Sequence, residues 1–181
     1  MTHMFVPGPV DVAPEVLAAQ TKPMLPHRSK DFEAIFRGSE EKAKQLFYTQ
    51  NRVFQAASSG SGMQEAGIRN FVQQDVLSCV NGAFAQRWYD VAVANGKTAD
   101  KLEVEFGEAI MPDMLRDALK KKHYEAVTIV HNETSTGVEN PLADLCKVVQ
   151  EVSPDTLILV DAVSSLAGVK IEMDKLGVDF L

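Results

Sequence analysis

Thr156-Leu157-Ile158-Leu159-Val160-Asp161 is the stretch on which the fold turns. Four aliphatic residues in succession leave no polar face, and a run this short is a strand rather than a helix, so both of its faces must be covered. Strands buried on both sides belong to parallel sheets, whose connections are long enough to hold a helix. The same pattern recurs upstream. Ala126-Val127-Thr128-Ile129-Val130, Leu102-Glu103-Val104-Glu105, Val76-Leu77-Ser78-Cys79-Val80 and Val53-Phe54-Gln55-Ala56-Ala57 read as strands. Stretches of helical period separate them: from Asn140-Pro141 to about residue 152, over 112–121 with Met114, Leu115 and Leu119 inward, over 84–93, and through Gln64-Glu65-Ala66-Gly67-Ile68. Strands alternating with helices of this length predict an α/β fold, a mainly parallel sheet sandwiched by helices.

Two further regions flank this pattern. Before it, residues 14–20 read as a short helix with Pro14 in its first turn. Phe32, Ile35, Phe36, Ala43, Leu46 and Phe47 repeat at helical spacing behind Ser29, a candidate N-cap. The intervening loop, Pro23-Met24-Leu25-Pro26-His27-Arg28, is rich in proline and carries two side chains suited to binding. After the pattern, Gly177-Val178-Asp179-Phe180-Leu181 alternates without a turn residue or polar tail, as a strand cut part-way would.

Composition narrows the function. The chain has 181 residues, 45% hydrophobic and 24% charged, enough for about one domain with a real core. A net charge of −7 argues against nucleic acid, since that affinity depends on clustered Lys and Arg. The one basic run, Lys120-Lys121-Lys122, reads as the solvated end of a helix. No stretch approaches the ~20 apolar residues that span a bilayer, and Met1-Thr2-His3-Met4-Phe5 lacks the regions of a signal peptide, so a cytoplasmic protein is expected. Cys79 and Cys146 lie in apolar surroundings and read as buried reduced thiols.

In an open α/β sheet, ligands bind beyond the carboxyl ends of the strands, so the residues just after each apolar run are the informative ones. Ser58-Ser59-Gly60-Ser61-Gly62-Met63 opens a helix, where backbone amides, hydroxyls and the helix dipole suit a phosphate. It is neither a Walker loop nor a dinucleotide fingerprint, and a plain Gly/Ser turn is the alternative reading. Phe84, in Asn81-Gly82-Ala83-Phe84-Ala85-Gln86-Arg87-Trp88, could stack on a planar ring or simply join the core. His131-Asn132-Glu133-Thr134-Ser135-Thr136-Gly137 is a dense polar run that reads as a hydrogen-bonded loop, and with no second His or Cys at ligand spacing a metal site is not expected. Asp161 ends the clearest strand, where it needs a partner: a local turn, or a cation such as a protonated pyridine nitrogen. In this order on successive strand ends, the four suit pyridoxal phosphate.

These stretches, with Pro7-Gly8-Pro9, His27-Arg28-Ser29 and Val160-Asp161-Ala162-Val163-Ser164-Ser165-Leu166-Ala167-Gly168, resemble the class V aminotransferases. The similarity is to the alanine:glyoxylate and serine:pyruvate branch, with phosphoserine aminotransferase more distant. The resemblance implies the large domain of a fold type I pyridoxal-phosphate transferase, incomplete at the carboxy terminus. Residues 1–50 would form an amino-terminal segment and helix lining the active site and dimer interface, and residues 51–181 part of the cofactor-binding large domain, with the small domain absent. It implies pyridoxal 5′-phosphate as cofactor, its phosphate held by Ser61, Gly62 and the backbone amide of Met63, its ring stacked on Phe84. Thr134 would hydrogen-bond near the ring hydroxyl, and Asp161, the catalytic residue, would pair with the ring nitrogen. Gly8, His27 and Arg28 would line the substrate pocket.

The implied reaction moves an amino group from alanine or serine to glyoxylate or pyruvate in a homodimer. The family's cofactor-binding lysine stands in a Ser-x-Gln-Lys motif about two dozen residues after the aspartate, beyond Leu181; Lys170 and Lys175 follow Asp161 too closely to replace it. The chain is therefore expected to need a carboxy-terminal remainder that carries the lysine. Two alternatives stand beside this reading: a non-catalytic cofactor-binding or assembly module, and another fold type I reaction such as cysteine desulfuration or carbon–carbon cleavage. Thr134 and Ser135-Thr136-Gly137 match the aminotransferase branch, whereas desulfurases typically carry His in the corresponding loops.

Overall fold

The computed structural model describes residues 3–6 and 8–181; the expectations for Met1, Thr2 and Pro7 lie outside them. Four strands, β1 (Asp75–Val80), β2 (Thr98–Glu103), β3 (Ala126–Val130) and β6 (Leu157–Asp161), form a sheet in the order β2-β1-β3-β6, each pairing parallel. The chain starts in the middle at β1, steps outward to β2, then crosses back to place β3 on the other side. The strand order thus reverses between β1 and β3, where the carboxyl ends of two neighbouring strands lead away in opposite directions and leave a crevice.

Alternation along the strands feeds two cores. Leu77, Cys79, Val127, Ile129, Ile158 and Val160 face α5 (Pro112–Lys121) and α6 (Leu142–Val152), which contribute Leu115, Leu119, Leu145 and Val149. Val76, Ala126, Val130 and Leu159 face α3 (Gly60–Phe71) and α4 (Ala83–Ala94), which contribute Ile68, Ala85, Trp88 and Ala92. Helices on both faces are what continuous apolar strands require. Both thiols are free and buried as expected, and burial pushes each up to about 12.

The amino-terminal helices also fall where the sequence puts them. α1 (Pro14–Ala19) carries Pro14 in its first turn. α2 (Lys30–Phe47) starts at Ser29, whose Oγ accepts the Phe32 amide at 3.2 Å, and stops at Tyr48, which takes the left-handed conformation at φ 51°.

Three expectations need correction. Residues 53–57 form no strand among the described residues: Phe54 is 76% exposed under the Arg52 guanidinium, and the Val53 amide is drawn to Glu40 Oε1. An apolar run makes a strand only beside a ladder partner, and this one is a connector lying away from the sheet. Within the polar run after β3, β4 (Asn132–Glu133) and β5 (Val138–Glu139) pair antiparallel, making a small hairpin where a plain loop was expected. Lys122 is not a solvated helix end; it bridges Asp75 at 2.7 Å and Asp100 at 3.0 Å, and those carboxylates hold its ammonium above the usual lysine range.

A short helix, α7 (Met173–Leu176), follows β6 and is closed by Gly177 at φ 67°. Beyond it Phe180 bridges Leu159 in parallel, with the Val160 amide donating to the Phe180 carbonyl at 2.8 Å, so the alternating segment does lie along β6.

Candidate cofactor site

The site is built where the sheet reverses. Past β1, Gly82 opens α4 without a side chain to cap it, and the cap comes from the hairpin instead. The Glu133 carboxylate, fully buried, accepts the Phe84 amide at 3.3 Å and the Ala85 amide at 2.9 Å, as well as the Ser135 amide and hydroxyl. A carboxylate at a helix start satisfies orphan amides and the dipole together. A Cβ at position 82 would lie 2.2 Å from Glu133 Cγ, so only glycine lets the carboxylate this close. This cap locks the α4 start, and with it Phe84, to the end of β3.

Past β6, Asp161 stands half-buried with both oxygens engaged: Oδ1 accepts the Val163 amide at 3.0 Å and Oδ2 the Gln64 Nε2 at 2.9 Å. Past β3, Thr134 Oγ1 donates to Ser164 Oγ at 2.7 Å, which donates to the Asn132 carbonyl at 3.0 Å. A cavity of about 370 Å³ lies between these ends and the start of α3, lined by Ser61, Gln64, Phe84, Arg87, Thr134 and Asp161 among others. That volume suits a small cofactor.

Two amides at the cradle are engaged within the helix start itself. At the α3 start the Gly62 amide goes to Ser59 Oγ and the Met63 amide to the Ser59 carbonyl, each at 3.1 Å. The first-turn amides with no acceptor among the described residues are those of Gly60 and Ser61, two residues that line the cavity. Met63 lines a neighbouring apolar cavity with Leu46, Phe47 and Trp88.

Gly8 lines the cavity. His27 and Arg28 do not: they are exposed in the turn before α2 and line no part of it. Lys170 and Lys175 pair with Glu172 and also lie off this cavity.

Arg87 and Gln64 are among the cavity residues to which sequence reasoning assigned no role. Arg87 places its guanidinium 5.1 Å from the centre of the Phe84 ring and donates to Ser61 Oγ at 3.3 Å, which puts a fixed cation beside the cradle. Its spacing of three from Phe84 on one helix was the available signal. Gln64, four residues after Gly60 on α3, is the other.

The donor set fits a phosphorylated pyridine: amides, a hydroxyl and a guanidinium, an aromatic face and a carboxylate share one cavity lining. The class so defined is that of α/β proteins carrying a phosphorylated, nitrogen-bearing ring. Comparison with known proteins narrows it. The family model for Aminotransferase class-V matches residues 15–181, and the chain belongs to that family, whose members use pyridoxal 5′-phosphate.

An uncharacterized aminotransferase of Methanocaldococcus jannaschii is 37% identical over 97% of this chain and 46% of its own length. A serine–glyoxylate aminotransferase of Methylorubrum extorquens is 32% identical over 98% of this chain and 46% of its own. Among solved structures, an alanine–glyoxylate aminotransferase of Nostoc superposes with a TM-score of 0.90 at 34% identity, covering 96% of this chain and 46% of that one. The fold is accordingly that of the fold type I aminotransferases. The chain spans about half the length of the curated relatives it matches.

Proposed function

We propose that the chain is the amino-terminal, cofactor-binding part of a pyridoxal-phosphate aminotransferase that moves an amino group from alanine or serine to glyoxylate or pyruvate. The observation that carries this reading is a cavity past the strand ends that the anion cradle at the α3 start, Phe84 and the Asp161 carboxylate line together. When bound, pyridoxal phosphate supplies an electron sink for the electrons of the amino acid's α C–H bond.

This chain's residues position and polarise that group. The Gly60 and Ser61 amides, the Ser61 hydroxyl and Arg87 hold the phosphate dianion, as a helix start and a guanidinium do. Phe84 gives the ring a flat apolar wall. Asp161 keeps a proton on the ring nitrogen, because a carboxylate beside a base favours its charged form. Thr134 and Ser164 offer hydroxyls toward the ring substituents, and Gly8 closes the pocket on the substrate side.

The proton-shuttling lysine, in this reading, comes from a carboxy-terminal remainder of the enzyme. Residues 1–50 lie over the active site and against a second copy, which accounts for the apolar side chains they hold outward. His27 and Arg28 are then substrate-side groups only once that assembly forms.

The test mixes this chain with the lysine-bearing remainder of a class V relative under folding conditions and follows cofactor absorbance together with pyruvate formation from alanine. Recovery of both is expected. A folded mixture that takes up cofactor without turnover would favour the non-catalytic module, and one that takes up none would remove the cofactor reading.

A further inference from the structure

Gln64 stands on α3 with only 4% of its surface exposed, and a buried amide there needs a reason. Its Nε2 donates to Asp161 Oδ2 at 2.9 Å and approaches the Phe84 carbonyl at 3.4 Å, so one group ties together the starts of α3 and α4 and the end of β6. Its backbone carbonyl accepts the indole N–H of Trp88, which fixes the turn that carries it. The side-chain Oε1 is buried with no partner among the described residues.

That orphan decides the interpretation. Rotating the amide by half a turn would place Oε1 against a carboxylate oxygen, where two acceptors repel, so the orientation is set by Asp161. An amide retained for packing alone would lose nothing by replacement with Met, which fills similar volume and leaves no unpaired carbonyl. The amide serves the carboxylate.

We propose that Gln64 is a positioning residue for Asp161: with Val163 on Oδ1 and Gln64 on Oδ2, the carboxylate is fixed so that its remaining acceptor directions face the cavity. The inference rests on the cofactor reading above, in which those directions receive the ring N–H. A carboxylate free to rotate spends part of its time turned away from the ring, and stabilises the protonated nitrogen less.

The test uses this chain and 15N-labelled 4′-deoxypyridoxine 5′-phosphate, which binds without a lysine. The ring-nitrogen chemical shift is followed against pH for the wild type and for Gln64→Met. The expected result is that the nitrogen of the Met variant loses its proton at lower pH, by about one unit, while the melting temperature is unchanged or higher. A purely structural role predicts a superimposable nitrogen titration whatever the melting temperature does, and that result overturns the proposal. Gln64→Asn, which keeps an amide but withdraws it from Asp161, should titrate like the Met variant and serves if that variant fails to fold.

A readout without ligand separates the two levels of inference. In the free protein, the Gln64 side-chain N–H signals should exchange slowly with solvent and shift on Asp161→Ala. Fast exchange and no shift defeat the proposal even if the analogue binds. Slow exchange with a shift, but no binding by the wild type, upholds the pairing and defeats the cofactor reading instead.

Discussion

The helices before residue 48 and those after residue 59 place their apolar side chains in opposite directions. α1 buries nothing and α2 buries only Glu40, while α6 alone buries Leu142, Leu145, Cys146, Val148 and Val149. Phe32, Ile35 and Leu46 of α2 face outward, and farther upstream Phe5 is 94% and Met24 97% exposed. Polar contacts tie down α2 and the turn after it. Glu40 accepts Arg52 Nε at 2.7 Å and the Val53 amide at 3.3 Å; Asp174 accepts the Gln50 amide, Asn51 and the Thr49 hydroxyl. The Thr49 hydrogen bond first, then the Gln50 amide, holds the Asp174 carboxyl below the usual range.

The α/β part is thus stabilised by burial and the amino-terminal part by directional clamps. Helices gain most of their stability from packing an apolar face, and a contiguous exposed apolar surface marks a contact still to be made. The amino-terminal part is tied down by hydrogen bonds and holds many of its apolar side chains outward, where a second copy was proposed above.

The contrast makes its strongest prediction in the core. Ile129 of β3 is fully buried, and Ile129→Ala should cost about 2–5 kcal/mol through lost burial and an unfilled cavity. Urea unfolding followed by fluorescence of Trp88, the chain's one tryptophan, measures it. A loss below about 1 kcal/mol would mean that the α/β part is not held by burial.

Gly82→Ala comes next. The new Cβ would press on Glu133 and push its carboxylate off the α4 start, which is both an overpacking and a decapping event, together about 2–4 kcal/mol. The sharper reading is local: hydrogen exchange at the Phe84 and Ala85 amides should rise more than exchange in α6. Uniform acceleration across both would show that Glu133 is part of the general core and not a lock on the site.

The sequence reveals the α/β part well for the same reason that burial holds it. Continuous apolar runs at residues 126–130 and 157–161 admit one structure, and β3 and β6 occupy them. The rule that ligands gather past strand ends then brings Ser61, Phe84, Thr134 and Asp161 to one cavity. Where contacts are polar and distant, the signal vanishes. A glutamine on a helix reads as a solvated residue, and nothing local shows that Gln64 meets an aspartate 97 residues away. Residues 53–57 carry the composition of a strand, yet a carboxylate on α2 takes the Val53 amide. His27 and Arg28 sit in a loop that no topological rule positions.

Acid should loosen the α/β part through His131. It is buried against Ser165 Oγ at 2.9 Å, with Glu139 Oε1 3.6 Å from its other nitrogen. Burial holds the imidazole below its ordinary value of 6.5, the Glu139 carboxylate opposing only in part. The unfolded chain therefore takes up a proton near pH 6.5 that the folded chain takes up only at lower pH, so stability falls as the pH drops from about 6.5 toward the folded value. Comparing wild type with His131→Asn by urea unfolding between pH 7.5 and 5 isolates the effect. Equal slopes would show that His131 charges without penalty.

The smallest effect tests the other side of the contrast. Ile35 is 58% exposed on α2, and with no core to leave, Ile35→Ser should change the stability of this chain by no more than about 0.5 kcal/mol. The helix should persist by far-UV circular dichroism, since Ser29 and the clamps at Glu40 and Asp174 are untouched. In a complemented, dimeric enzyme the same substitution should instead weaken association, visible as a concentration-dependent drop in mass by light scattering. A loss in the single chain comparable to that of Ile129→Ala would give the amino-terminal part a core of its own and erase the distinction. No effect in either setting would leave the outward apolar side chains without the partner proposed for them, and the polar clamps would then be the whole account of α2.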